Sequence, residues 1–112
     1  MTLRRIDRPQ WAGFCKVLSR QLLGKQAEIT VASMEFGAQI EAQWLPITGL
    51  VYDPHTDAFE IALEGLDHTV FHPLKLYAEF GLGGVESLAI IEMNATQIVI
   101  VRDTLMLPRP RV

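Results

Sequence analysis

Basic residues are almost missing from the middle of this chain: between positions 26 and 101 only Lys75 is basic, against eleven acids. A segment of that charge repels phosphates, which argues against a nucleic-acid interface along it. Cysteine is nearly absent as well. The single Cys15 excludes an internal disulfide framework and gives no sign of an oxidising compartment. No apolar run approaches the ~20 residues that cross a bilayer as a helix. The start, MTLRRIDRPQW, lacks the apolar core of a secretory signal. The expectation is a cytoplasmic chain with no membrane partner.

What is present suits one compact domain over residues 1–112. Hydrophobic residues make up 49% and charged residues 21% of the 112, the balance of a globular chain able to bury its own core. The bases gather at the ends. Residues 1–25 carry six against Asp7, and residues 102–112 carry three arginines against Asp103. A basic N-terminal arm over 1–6 and an extended tail over 104–112, containing LMLPRPRV, follow from this pattern. Arg4, Arg5, Arg8, Arg109 and Arg111 are the candidate nucleic-acid contacts. The plainer reading is that basic ends lie against the acidic body or a neighbouring subunit.

Periodicity divides the chain into one helix and several strands. DRPQWAGFCKVLSRQLLG reads as an amphipathic helix, with Asp7 and Gln10 as a capping box and Gly24 as its stop. Trp11, Phe14, Cys15, Leu18 and Leu22 share one face at three- and four-residue spacing. After Gly24 the period falls to two. QAEITVAS, QIEAQW, ITGLVY, AFEIALEG, HTVFH, ESLAIIEM and QIVIVR alternate as strands, and Pro46 marks a bulge, bend or edge between two of them. Ile40, Ala42 and Trp44 are expected inward. Pro73 suits a helix's first turn, so PLKLYAEF reads as a short late helix ended by Gly81. Short turns make the strands antiparallel neighbours. The fold class expected is α+β, an N-terminal amphipathic helix packed on a curved antiparallel sheet or small open barrel.

Few residues offer chemistry. In EGLDHTVFHP, His68 and His72 share a strand face, and a metal between them with Glu64 or Asp67 is the one metal candidate. The spacing matches no known ligand motif, and histidines hydrogen-bonded at a surface are the plainer reading. Cys15 sits on the helix's apolar face, where a thiol stays protonated. The serines lack a nucleophile elbow, and GLGG at 81–84 lacks the lysine of a phosphate loop. No catalytic residue and no cofactor are expected. Trp44, Leu45, Pro46 and Ile47 are the candidate partner-binding surface.

Three pieces, DRPQWAGF, QIEAQWLPITGLVYDPHTDAFEIALEGLDHTVFHP and TLMLP, resemble a family of small bacterial single-domain proteins of unknown function. The resemblance covers nearly the whole chain and implies no catalytic residue. The order of elements alone, a helix leading into bent antiparallel strands, is similar to the Sm-like barrel, whose members form rings and bind RNA. The segment 73–84 departs from that barrel. The expected role is a non-catalytic binding or assembly module, with a protein partner or a homo-oligomer. A Sm-like nucleic-acid binder and a metal-binding protein are the alternatives.

Overall fold

A computed structural model describes residues 2–103. The chain runs β1 (Thr2–Ile6), a 3-10 turn (Arg8–Gln10), α1 (Trp11–Gln21), β2 (Lys25–Ser33), β3 (Gly37–Asp53), β4 (Ala58–Leu63), β5 (Leu66–Phe71), β6 (Lys75–Gly81), β7 (Gly84–Ile91) and β8 (Ala95–Asp103). All eight strands form one antiparallel sheet in the order β1-β6-β7-β8-β2-β3-β4-β5.

That order forces the sheet to curl. β5 stands last and β6 second, six strand positions apart, yet only residues 72–74 join them. In a flat sheet the gap would be roughly 29 Å at ~4.8 Å per strand. Four residue steps reach at most about 14 Å. The sheet therefore rolls until its β4–β5 end approaches β6 and β7. One contact crosses the roll, His68 on β5 bonding Gln97 on β8 at 2.7 Å, while Leu74 N, donating to Ile91 O at 2.7 Å beside the β6–β7 ladder, anchors the linker.

Strand β3 makes the bend. It pairs with β2 up to Pro46 and with β4 from Ile47 onward. Gln43 and Trp44 together oppose Glu28 alone, since the flanking pairs are Ala42 with Ile29 and Leu45 with Ala27. This is a bulge, and Trp44 takes a left-handed φ of 52° there. Register shifts again between Ala42 and Ile40, the partners of Ile29 and Thr30, and between Ile47 and Gly49. The bend expected near Pro46 is present, as irregularities either side of it within one long strand.

Helix α1 covers the β3 edge that β2 leaves bare. Ser19 Oγ accepts a hydrogen bond from Leu50 N at 3.1 Å, so the helix supplies a partner for a strand amide. Its buried Trp11, Cys15 and Leu18, with Leu22 at its C-terminal cap, join residues of every strand in one core, Ile29, Ile61, Val70, Leu76, Ile90 and Val99 among them. The expected apolar stripe is the stripe that packs. Its start differs from expectation: Asp7 makes no side-chain cap, its backbone carbonyl takes Gln10 N instead, and residues 8–10 form a 3-10 turn.

Three other expectations are corrected. PLKLYAEF is not a helix: residues 75–81 are strand β6, with Leu76 and Ala78 buried and Lys75 outward. Residues 2–6, expected as a basic arm, form strand β1, paired along β6. Ile40, expected inward, is exposed, because the β2–β3 hairpin runs past the core at its turn. The tail 104–112 lies outside the described residues.

Candidate functional site

The first polar cluster joins three distant turns. Arg8, at the helix entrance, donates through Nη1 to Asp57 Oδ1 (3.0 Å) and Tyr52 OH (3.3 Å), and through Nη2 to Pro73 O (2.7 Å). Tyr52 OH donates to the same Asp57 oxygen at 2.6 Å. His72 Nδ1 stands 3.5 Å from Asp57 Oδ2, and its backbone N donates to Asp57 O at 2.8 Å. Asp57 and His72 both hold left-handed φ, 50° and 53°, conformations uncommon outside glycine. The arginine plane lies 4.3 Å from the Trp11 ring centre, and Trp11 itself packs on Tyr52 and Phe59. The Tyr52 hydrogen bond, helped by Arg8, holds the Asp57 carboxyl below its ordinary value. Burial, then the same bond, pushes the Tyr52 hydroxyl up. The result is a neutral clasp whose donors and acceptors satisfy one another.

A second cluster sits at the rim of the roll. Gln97, the one buried polar side chain among the described residues, interrupts the inward row of Val99 and Val101. Its Oε1 meets His68 Nε2 at 2.7 Å, which makes that nitrogen the donor, and its Nε2 donates to Glu92 Oε2 at 2.9 Å. Among the described residues no buried side-chain nitrogen or oxygen lacks a partner.

The two candidate metal ligands are thus divided. His68 faces the interior on β5 and bonds Gln97, whereas His72 lies beyond the strand's end, largely exposed, against Asp57. No group of three His, Cys, Asp or Glu side chains suited to a metal occurs among the described residues. Cys15 is buried, and burial pushes its thiol up to about 12, as its place on the apolar face suggests. No helix among the described residues is long and apolar enough to cross a membrane.

Among the described residues the basic candidates do not form one patch. Arg8 is held in the clasp, Arg4 lies 5.9 Å over the Phe80 ring, and Arg5 follows it on β1, where successive side chains take opposite faces. Arg109 and Arg111 lie outside the described residues. The WLPI stretch is not an open surface either. Ile47 is buried, Leu45 packs on the core, and Trp44 is half-buried beneath Arg102, whose guanidinium is 3.8 Å from the indole centre. Arg102 Nε also donates to Gln26 Oε1 at 3.2 Å.

What stays open is a cup at the far end of the sheet. The β2–β3 turn and the β7–β8 turn meet there, because Ser33 on β2 pairs with Gly37 on one side and Ala95 on the other. The cup measures about 750 Å³, and Val31, Met34, Phe36 and Met93 supply its apolar wall. Met34 is fully exposed, Met93 is 82% exposed and Phe36 is 69% exposed. The charged residues lining it are Glu35 and Glu92, both acidic. Flexible methionines around an aromatic ring make an adaptable apolar surface.

The sequence pattern did not point to this cup; the apolar Met34 and Phe36 in MEFGAQ and Met93 just before NAT were the available signal. It did not point to the clasp either. Its members come from DRPQW, YDPHTD and FHP, the stretches that carried the family resemblance. The profile of a family of unknown function (DUF5335) matches residues 2–110. An uncharacterised protein of Aquifex aeolicus (strain VF5) is 30% identical over 110 residues, covering 96% of this chain and 99% of its own. No solved structure matches the chain significantly.

Proposed function

The chain belongs to DUF5335, a family of unknown function, and from that premise we propose that it is a non-catalytic binding module whose contact surface is the apolar cup at the joined turns. One observation carries this reading: Met34, Phe36 and Met93 stand in water around a single concavity. Apolar side chains gathered this way mark interaction sites more often than scattered ones do. The polar clusters support it from the other side. A nucleophile or general base needs a lone pair facing substrate, whereas the Arg8–Asp57–Tyr52 and His68–Gln97–Glu92 groups are hydrogen-bonded to one another. A phosphate binder would need Arg8 unengaged. Retention on mixed RNA that collapses with added salt would favour that alternative instead.

The test is photo-crosslinking in the cells the protein comes from. A benzophenone side chain is placed at position 36, with position 60 on the outer face of β4 as control. Discrete protein adducts from position 36 alone are expected. Equal labelling from both positions, or none from 36, overturns the reading.

A further inference from the structure

We infer that the cup is built for residues 105–111 of a second copy of this chain. This rests on the reading of the cup as a contact surface, and it names the occupant. The segment reads Leu105-Met106-Leu107-Pro108-Arg109-Pro110-Arg111. Its first half is apolar and its second half carries two arginines. The cup offers the matching chemistry: an apolar wall of Val31, Met34, Phe36 and Met93, with acidic Glu35 and Glu92 as its charged residues. Between positions 26 and 101 the chain offers a single base and eleven acids, so a basic apolar strand is the complement this surface selects.

Composition favours an extended occupant. Pro108 and Pro110 restrict the backbone before binding, which lowers the ordering cost of docking. In extended form Leu105 and Leu107 fall on one side, about 7 Å apart. A cup of about 750 Å³ lies within the usual range for a bound segment of a few side chains.

Geometry makes the contact intermolecular. Asp103 pairs with Lys25 at one end of β2, and Ala95 pairs with Ser33 at the other, beside the cup. Eight strand steps separate Asp103 from Ala95, roughly 27 Å at ~3.4 Å each. Leu105 and Leu107 are two and four residues past Asp103 and reach at most about 14 Å. The apolar half of the segment cannot return to its own cup. One copy's end must enter another copy's tip, a head-to-tail contact between unlike surfaces.

Sedimentation velocity on the full chain across a wide concentration range tests this. The wild type is expected to self-associate in steps beyond a dimer. Phe36→Asp in the cup and the double change Leu105→Asp with Leu107→Asp in the segment are each expected to weaken association roughly tenfold or more. Circular dichroism checks that both variants fold; Phe36 is 69% exposed, so its replacement leaves the core intact. Mixing the two variants retains one good cup and one good segment, so a heterodimer that grows no further is expected. A monomeric wild type, an unaffected segment variant, or a mixture that stays monomeric overturns the inference. Adducts from position 36 to some other protein, with a monomeric wild type, would leave the binding reading standing and remove this one. A lack of adducts removes both.

Discussion

Asp57 concentrates much of what single residues do here. It sits in a left-handed turn, accepts from Arg8 and Tyr52 on one oxygen, and faces His72 with the other. Its folded carboxyl is held below the ordinary 3.8, so it adds stability above that value and loses it as pH falls through the depressed one. Asp57→Asn keeps the left-handed turn, which asparagine tolerates, and removes the charge. With 34% of the side chain in solvent, the loss near neutral pH is on the order of 1 kcal/mol, or roughly 5 °C in Tm. Thermal melts of both forms should converge as pH drops below 3.8; a constant gap would show that charge is not the cause. None of this was legible from the residues alone. Arg8, Tyr52 and Asp57 lie up to 49 positions apart, and only the rolled sheet brings them together. The position of Cys15 was legible, because helical spacing alone places it on the buried face.

At the scale of elements, helix α1 and most strands follow from local pattern, since a buried face leaves a period of 3.6 or 2. PLKLYAEF shows where local pattern misleads. Leucine, lysine, alanine and glutamate favour helix, and Pro73 suits a helical start. Yet Leu76 and Ala78 go inward while Lys75 goes out, because β1 and β7 hold both edges of β6. Pairing from residues 2–6 and 84–91 overrides propensity, and no local window contains it. The packing of α1 against β3 is open to a direct test. Ser19→Ala deprives the part-buried Leu50 amide of its acceptor, a cost of about 1–2 kcal/mol, read as a lower urea midpoint with an unchanged slope. A Trp11→Ala change should cost more, about 3–5 kcal/mol. It empties the centre of the core and leaves Ile6 O without its donor at 2.8 Å.

For the molecule as a whole, one core reaches α1 and every strand, so urea unfolding should be a single cooperative transition whether followed by tryptophan fluorescence or by circular dichroism. Non-coincident curves would mean that the β4–β5 end melts separately. Refolding should be slow for the chain's size, on the scale of milliseconds to seconds, because β1 must find β6 some seventy residues away. Charge completes the picture. Acids populate the body, and bases occupy both ends, so the ends of one molecule attract the body of its neighbour.

The three residues between Phe71 and Lys75 act like the knot in a hoop. Were they long, the β4–β5 flap could swing away while the remaining strands kept their bonds, and amides there would exchange with solvent on their own schedule. Drawn this tight, any outward swing must also pull Leu74 from Ile91. Deuterium should therefore enter β4, β6 and β7 at one common slowest rate.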